Sequence, residues 1–331
     1  MKILYAVQAT GNGHISRAIE LIPYLQQYGT IDIFLSGSNS SLDVNLPVKY
    51  RSKGISLFYT SKGGLHYTKT LQQFSANRIL REAKALPVEN YDAVLIDFES
   101  ISSLSCKLKN IPCIGFGHQA SFQSSAVPRP KHKSIRGEWI LNNYAKATAY
   151  VGLHFEQYDA FIFNPVIKDA ILKSEPKDAG HITVYLPHYT DAFVISYLKK
   201  ITHQSFHLFS KTASVKNMNG NITVVPVDNA AFNESLIHCN GMITGAGFET
   251  PAEVLYLGKK LMCLPVKGQY EQGCNAAALK HFDVPIVSSL TNDFPFIVNN
   301  WLQQPKPKQL KITHSAADIV AYTMKLAQAM K

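Results

Sequence analysis

The sequence predicts an α/β protein of two domains, each built on a parallel sheet, that face each other across a cleft. Three observations support this fold class. Short apolar runs alternate with segments of helical periodicity along most of the chain. Two glycine-containing turns, at residues 10–14 and 244–250, each follow an apolar run and precede a helical pattern. A chain of 331 residues is long enough for two domains that each bury a core.

The first half of the chain alternates strand and helix patterns. In the first predicted helix, apolar residues recur at the spacing of one helix face, at Ile15, Ala18, Ile19, Ile22 and Leu25. The predicted strands span residues 3–9, 31–36, 55–59, 93–96, 111–116 and 150–155. The predicted helices span residues 15–28, 71–86 and 101–108. Such alternation implies a parallel sheet with right-handed crossovers.

The second half repeats this alternation. Strands are predicted at residues 181–186, 205–209, 222–225, 241–244 and 261–264, and helices at 250–257, 272–281 and 316–330. Prolines between residues 293 and 311 predict an irregular segment there. The proline-bearing stretch 163–177 marks the junction, which gives domains at residues 1–164 and 165–314.

Composition narrows the function classes. The net charge of +10 attracts nucleic acid, anionic lipid or phosphorylated substrates. No arginine-rich helix, zinc finger or aromatic RNA-binding strand is visible in the sequence, so nucleic acid is not an expected partner. The five cysteines lack metal-ligand spacing, so we expect reduced core residues and no metal site. We expect a cytoplasmic protein, because the chain has no 18-residue apolar run and no signal-peptide pattern.

The first turn contains Gly11, Asn12 and Gly13, followed by His14 at the start of a helix. The third position of a dinucleotide fingerprint would be glycine, but it is Ser16, which argues against a dinucleotide cofactor. A helix N-terminus disfavours imidazolium, so His14 is a candidate general base that stays neutral. The alternative is a helix-capping or core histidine.

Polar residues also follow two other predicted strands. Asp97 and Glu99 are two residues apart at a strand end, so we expect their side chains on one face, where either could polarise His14. The alternative is that one of them caps the helix that follows. His118 and Gln119 end the next strand and are assigned to the acceptor side. In open α/β sheets, ligands bind beyond such strand ends.

The second turn reads as a phosphate-binding loop. Gly247 permits close approach of a pyrophosphate, and Thr250 supplies a hydroxyl and an N–H group at a helix start. Glu253, one turn later, could accept hydrogen bonds from a ribose diol, or could simply be an exposed helix residue. Glu271 and Gln272 open the next helix and offer polar groups suited to sugar hydroxyls.

Residues 245–253, 258–260, Pro265 and 271–276 resemble the donor-binding signature of GT-B glycosyltransferases. The nearest groups are the MurG-like transferases of family 28 and the UDP-glycosyltransferases of family 1. Residues 11–14 resemble the N-terminal glycine loop of the same enzymes. The resemblance implies a GT-B fold, that is, two Rossmann-like, doubly wound parallel-sheet domains across a cleft. It also implies that residues 315–331 form a helix that packs back on the N-terminal domain.

The resemblance implies metal-independent, inverting transfer of a sugar from a nucleotide sugar, with a UDP-sugar as the expected donor and no separate cofactor. His14 matches the catalytic base, and Glu253 matches the acid that holds the ribose. The implied donor-binding residues are Gly245, Gly247, Phe248, Thr250, Glu253, Glu271 and Gln272. Plant-type enzymes carry a phosphate-contacting histidine where Gly245 stands here, and their base-stacking tryptophan has no counterpart.

Two other functions fit the same residues: a nucleotide-sugar 2-epimerase and a non-catalytic nucleotide-sugar-binding protein. The acceptor is unspecified and includes lipid-linked and glycan acceptors. Basic residues in the loops at 59–70 and 118–133 could face an anionic membrane surface or could be ordinary solvated side chains. Peripheral association with the inner face of a membrane therefore stays open at this point.

Overall fold

The structure is a computed structural model that describes residues 1–9, 11–37, 46–54 and 75–330. The strand predicted at 55–59, the first residues of the helix predicted at 71–86 and the loop at 60–70 lie outside the described residues.

In the N-terminal half, the described residues form a seven-stranded parallel sheet in the order β3-β2-β1-β4-β5-β6-β7. The strands are β1 (Lys2–Gln8), β2 (Thr30–Ser36), β3 (Val48–Ser52), β4 (Ala93–Asp97), β5 (Ile114–Gly117), β6 (Ala149–Leu153) and β7 (Ile162–Phe163). The helices are α1 (Asn12–Leu25), α2 (Ala76–Ala85), α3 (Ser100–Lys109) and α4 (Ile135–Asn143). Short 3₁₀ turns occupy Gln26–Tyr28, Val88–Asn90 and Gln119–Gln123.

In the C-terminal half, the described residues form a six-stranded sheet in the order β10-β11-β9-β8-β12-β13, in which β10 and β11 are antiparallel and the other neighbours are parallel. The strands are β8 (His181–Tyr185), β9 (Ser205–Ser210), β10 (Asn217–Asn219), β11 (Ile222–Pro226), β12 (Gly241–Thr244) and β13 (Lys260–Cys263). The helices are α5 (Asp169–Leu172), α6 (Asp191–Leu198), α7 (Asn229–His238), α8 (Glu249–Tyr256), α9 (Tyr270–Leu279), α10 (Phe294–Gln303) and α11 (Ala316–Ala329), with a 3₁₀ turn at Lys280–Phe282.

The core of each half lies between its sheet and the helices on its faces. Residues 3–7 of β1 are fully buried, as expected of a central parallel strand covered on both faces. Helix α1 buries Ile15, Ala18 and Leu21 in the hydrophobic cluster that also contains residues 3, 5 and 7 of β1. A second cluster around Ile182, Met262 and Trp301 fills one face of the C-terminal sheet.

The strand order fixes where a ligand can bind. In the N-terminal sheet, β1 lies between β2 and β4, so the chain order reverses at this strand. In the C-terminal sheet, β8 lies between β9 and β12 and creates the same kind of reversal. Ligands of open α/β sheets bind in the crevice at such a switch point, beyond the carboxyl ends of the strands. Both glycine-containing turns lie at these ends.

The last helix, α11, begins with a capping box between Ser315 and Asp318 and contacts α1 and β4. The two sheets divide the chain between Phe163, the end of β7, and His181, the start of β8. The boundary predicted at residues 164 and 165 falls in this interval and stays a prediction. Among the described residues, no helix combines the length and apolar character needed to cross a bilayer.

Candidate active site

His14 and Asp97 meet at the carboxyl ends of two neighbouring strands. His14 lies in the first turn of α1, directly after β1, and Asp97 is the last residue of β4. Because β1 and β4 pair in parallel, with Val7 opposite Asp97, their ends lie side by side. The Nδ1 atom of His14 is 2.7 Å from Oδ1 of Asp97. This His–Asp pair is the arrangement in which a carboxylate orients an imidazole base.

Arg17 is also hydrogen-bonded to Asp97, and the sequence analysis did not identify it. It lies three residues after His14 on the same helix and is 2% exposed. Its Nη2 atom donates to both Asp97 oxygens at 2.8 Å, and its Nε donates to Oδ2 at 3.2 Å. The sequence contained one signal for a buried role of Arg17: it is a charged residue beside the apolar positions Ile15 and Ala18 of an otherwise buried helix face.

The charges around His14 oppose the helix-dipole effect expected from the sequence. Burial lowers the pKa of His14. The charge of the Asp97 carboxylate and its hydrogen bond to the ring raise the pKa, and the net result is a pKa above its ordinary value. Burial alone would raise the pKa of Asp97, but the Arg17 guanidinium and His14 hold it below its ordinary value. The Asp97 carboxylate thus acts on the pKa of His14 in the direction opposite to the helix dipole, and the neutral state expected for His14 stays a prediction.

Glu249 brings the second half of the chain to this group. It is the first residue of α8, and its Oε1 accepts a hydrogen bond from Nη1 of Arg17. Its carboxylate also lies against Gly13, where an added Cβ would be 2.5 Å from Oε2. Gly13 thus permits the close approach of the two halves, and Arg17 links the His–Asp pair to the predicted phosphate-binding helix.

The loop between β12 and α8 is held in shape by side chains of α9. Oε1 of Gln272 accepts from the N–H groups of Ala246 at 3.2 Å and Val266 at 2.9 Å. Nδ2 of Asn275 donates to the carbonyl of Ala246 at 3.1 Å. Gln272 therefore orders the backbone of this loop, a role that the sequence analysis did not assign to it. A Cβ added to Gly247 would meet nothing within 4 Å, so a ligand has room to approach there.

Glu253 is not an exposed helix residue, because it is 2% exposed. Its carboxylate pairs with Nζ of Lys168, at 3.2 Å to Oε1 and 3.3 Å to Oε2. Burial raises the pKa of Glu253, and the Lys168 ammonium offsets part of that increase. Lys168 also donates to Oδ1 of Asn233 at 3.2 Å. The sequence analysis placed a domain junction at Lys168 but gave it no role.

His118 and Gln119 contact residues of the C-terminal half. The His118 ring stacks on Phe248 with 3.9 Å between centroids and 7° between planes. Nε2 of Gln119 donates to Oε1 of Glu271 at 3.1 Å. His118 is 1% exposed, so it cannot reach an acceptor in this arrangement. We therefore revise its role to an interdomain contact, and the acceptor role of Gln119 stays a prediction.

A pocket lies between the two halves at this place. It is bounded by the first helix of the N-terminal half, the junction segment and three strand ends of the C-terminal half. The lining residues are Asn12, Gly13, Ser16, Lys168, Tyr185, Val227, Asp228, Asn229, Phe232, Glu249 and Thr250. Both glycine-containing turns therefore contribute to one crevice.

Residues 1–303 match the family model described as Glycosyl transferase family 1. The chain belongs to glycosyl transferase family 1. A search of curated proteins finds no match.

Solved structures of similar fold include three glycosyltransferases. Arabidopsis thaliana UGT89C1 complexed with UDP has a TM-score of 0.55 at 14% identity and covers 99% of this chain and 94% of its own. SnogD from Streptomyces nogalater has a TM-score of 0.54 at 13% identity, with 99% of each chain covered. The glycotransferase of kitacinnamycin has a TM-score of 0.58 at 12% identity and covers 99% of this chain and 95% of its own. These likenesses show the fold, which is GT-B.

Glu99 of this glycosyltransferase takes the alternative role that the sequence left open. Its carboxylate accepts from the N–H groups of Ile101 at 2.9 Å and Ser102 at 2.6 Å, and so caps α3. The expected shared face with Asp97 fails because Phe98, between them, has a φ of 51° and turns the chain out of the strand. We therefore revise Glu99 from a catalytic candidate to a helix cap. Asp97 alone contacts His14 among these two acids.

The described part of this glycosyltransferase contains no group of three or more His, Cys, Asp and Glu side chains arranged to hold a metal ion. The five cysteines are buried and unpaired. Thr250 lies in the first turn of α8, where the backbone N–H groups have no acceptors within the helix. Two features place positive charge at the pocket wall: the N-terminus of α8, with a partial charge, and the ammonium of Lys168.

Proposed function

We propose that this glycosyltransferase moves a sugar from a nucleotide-sugar donor to an acceptor hydroxyl, with inversion and without a metal ion. The observation that carries the proposal is the position of the His14–Asp97 pair at the start of α1, whose residues Asn12 and Gly13 line the same crevice as the first turn of α8. A base and an anion-binding helix end then stand on opposite halves of one pocket. A single displacement needs this arrangement, since attack and departure occur on opposite faces of the anomeric carbon.

His14 acts as the general base in this mechanism. Its Nδ1–H donates to Asp97, which leaves Nε2 to take the proton of the acceptor hydroxyl. The acceptor oxygen bonds to the anomeric carbon as the bond to the diphosphate oxygen breaks. Negative charge then gathers on the leaving diphosphate, where the N–H groups at residues 247–250 and the dipole of α8 stabilise it.

A UDP-sugar is the donor that we propose. UGT89C1, a structural neighbour, has been crystallised with UDP and with UDP-L-rhamnose. In this chain, Tyr185 and Phe232 line the pocket and form an edge-to-face pair with centroids 5.5 Å apart. An aromatic pair of this kind offers a surface for a nucleobase in place of the missing tryptophan. The resemblance alone assigns Glu253, the buried partner of Lys168, to the ribose diol.

The His14→Ala variant tests the role of the base. We expect turnover to fall by about 10²–10⁴-fold, because a positioned base contributes that much, while the affinity for nucleoside diphosphate stays within twofold. Turnover is measured with a panel of UDP-sugars and acceptors, and affinity by calorimetry. Full turnover in His14→Ala would contradict the assignment.

The same assays separate the two other functions. A 2-epimerase would release an epimerised sugar from donor alone, whereas a transferase needs an acceptor. A non-catalytic binding protein would bind the donor and show no turnover with any acceptor.

We propose further that α4 brings the enzyme to an anionic membrane surface, where a lipid-linked acceptor of the MurG-like kind is available. Ile135, Trp139 and Ile140 of α4 are 87%, 64% and 46% exposed, and Ile135 and Trp139 are four residues apart and share one face of the helix. The exposed Lys131 and Arg136 lie beside them. Exposed tryptophan and isoleucine next to basic side chains are typical of helices that lie in the headgroup region.

The opposite face of α4 contacts the C-terminal half. Oε1 of Glu138 accepts from the Tyr270 hydroxyl at 2.6 Å and from Nε of Arg129 at 2.7 Å. Gly137 also packs on the Tyr270 ring, because an added Cβ would overlap the ring atom Cγ. A membrane bound at the exposed face of α4 would therefore lie close to the junction of the two halves.

Vesicle flotation tests the membrane proposal. We expect the wild-type protein to float with phosphatidylglycerol vesicles and not with neutral phosphatidylcholine vesicles. The Ile135→Ser/Trp139→Ser variant should lose most of this binding. Phe296→Ser is the control, because Phe296 is an exposed apolar residue (67%) on α10 of the C-terminal half and not on α4. Absence of wild-type binding, or equal loss in the control, would contradict the proposal.

A further inference from the structure

Two cysteines meet at the amino ends of the N-terminal strands, on the side of the sheet away from the crevice. Cys106 lies in the last turn of α3, and Cys113 directly precedes β5. Helix α3 ends at Asn110, which has a φ of 54°, and the N–H groups of Asn110 and Ile111 both donate to the carbonyl of Cys106. The chain therefore turns back over the end of the helix, and the two thiols are hydrogen-bonded to each other.

A second pocket gives access to Cys113. It is lined by residues 91–94 at the start of β4, residues 111–114 at the start of β5, and Ala327 and Met330 at the end of α11. Its volume is about 250 Å³, several times the roughly 30 Å³ that a water molecule occupies in the liquid. Among the described residues, the linings of this pocket and of the crevice share no member. The pocket is therefore a separate site with room for a small reagent.

The surroundings favour ionisation of Cys113 over that of Cys106. A hydrogen bond from the Cys106 thiol is the main cause that lowers the pKa of Cys113 to about 7, and hydrogen bonds from Thr148 contribute, although burial acts in the opposite direction. The same thiol–thiol hydrogen bond and burial raise the pKa of Cys106. Because the thiolate is the nucleophilic form of cysteine, Cys113 is the attacking sulfur and Cys106 stays a thiol.

We propose that Cys113 and Cys106 form a dithiol site that reacts with hydrogen peroxide in this pocket and closes to a disulfide. The Cys113 sulfur bonds to one peroxide oxygen as the O–O bond breaks, which gives a sulfenic acid and, after protonation of the leaving hydroxide, water. The Cys106 sulfur then bonds to the Cys113 sulfur as the S–O bond breaks, and the thiol proton leaves with the oxygen as a second water. Two thiols are oxidised to one disulfide, and one peroxide is reduced to two waters. The site goes beyond sugar transfer and does not depend on it.

The other three cysteines are controls within the same chain. Cys239, Cys263 and Cys274 are buried, and burial raises the pKa of each. A thiol with a raised pKa has less thiolate at neutral pH and reacts more slowly with peroxide. Oxidation that begins at Cys106 and Cys113 would therefore reflect this site and not a general reactivity of the thiols.

Peptide mapping of the folded wild-type protein tests the proposal. The protein is treated with hydrogen peroxide for timed intervals, catalase stops the reaction, and the remaining thiols are alkylated in urea. Trypsin cuts after Lys107 and Lys109, so a disulfide between Cys106 and Cys113 joins two peptides. We expect this linked pair to form at least about 10-fold faster than any oxidation of Cys263, and dithiothreitol to reverse it. Equal rates at all five cysteines, or linkage only when peroxide is added in urea, would overturn the proposal.

Serine variants test which sulfur attacks. In Cys106→Ser, the sulfenic acid of Cys113 has no thiol partner, so it should persist and react with dimedone. In Cys113→Ser, no dimedone adduct should form at Cys106, and Cys239→Ser should form the disulfide at the wild-type rate. Thermal unfolding by circular dichroism checks that each variant is folded. A dimedone adduct on Cys106 in Cys113→Ser would overturn the assignment of the attacking sulfur, and if a variant does not fold, the wild-type peptide map decides the proposal.

Discussion

At the scale of single residues, the site depends on one carboxylate that is hydrogen-bonded to two basic side chains. Asp97 is 0% exposed and is bonded to both His14 and Arg17. Arg17 carries a permanent charge, so it keeps Asp97 ionised, and the ionised Asp97 in turn raises the pKa of His14. Arg17 is therefore a positioning residue, which acts on the base through Asp97 and also directly, since its Nη2 atom lies 3.0 Å from Nδ1 of His14.

This coupling predicts the pH dependence of the reaction. Catalysis needs neutral His14, so kcat/KM should rise with pH through an apparent pKa above the ordinary value of about 6.5. The Asp97→Asn variant removes the carboxylate that raises this pKa. The rise should therefore move to lower pH, while the maximal rate falls by about 10²–10⁴-fold because the ring loses its orienting partner.

The measurement is the full pH profile of kcat/KM for the wild type and for Asp97→Asn. Circular dichroism at each pH controls for unfolding, since Arg17 would be left beside a neutral amide. A profile of Asp97→Asn that keeps the wild-type midpoint would show that Asp97 does not set the pKa of the base.

At the scale of elements, the sequence predicted most of the described fold because apolar periodicity is a local property. The strand expected at 241–244 is confirmed residue for residue, and the helices at α3, α8, α9 and α11 differ from expectation by a few end residues. Helix α10 was missed, because Pro295 was read as a helix breaker. Proline is tolerated in the first turn, where no intrahelical hydrogen bond is lost, and the buried Phe294, Val298 and Trp301 repeat at helical spacing.

The site was predictable only where a residue ends a strand. His14, Asp97 and the residue 244–250 loop follow buried strands, and parallel pairing brings such ends together. The partners across the crevice were not predictable in this way. Arg17 and Glu249 are 232 residues apart, and Lys168 pairs with Glu253 over 85 residues. Contacts between domains depend on their relative orientation, which local periodicity does not contain.

At the scale of the whole molecule, a few polar and aromatic contacts join the two halves around the pocket. His118 stacks on Phe248, Gln119 donates to Glu271, and Arg17 pairs with Glu249. Each contact joins a residue of the N-terminal half to a residue of the loops that we propose bind the donor. The geometry of the base therefore depends on the position of the C-terminal half, and this dependence can be tested at the closest approach, Gly13.

The Gly13→Ala variant should separate Glu249 from Arg17. Alanine is compatible with a helix interior and favours it by up to about 1 kcal/mol over glycine, so the substitution alone should not destabilise α1. The added Cβ would, however, lie 2.5 Å from the Glu249 carboxylate, which must then move away from Arg17. We expect a net loss of about 1–3 kcal/mol in the free energy of unfolding, since a buried guanidinium loses a charged partner.

A double-mutant cycle with Glu249→Ala isolates this interaction. In the Glu249→Ala background, the added Cβ meets no carboxylate, so Gly13→Ala should be neutral or slightly stabilising. Unfolding by urea, followed by fluorescence, gives the four free energies. If Gly13→Ala costs the same in both backgrounds, its effect arises within α1, and the two halves are not held together through Arg17 and Glu249. If the cost disappears without Glu249, the glycine of the first turn is required by the acidic residue at the start of α8.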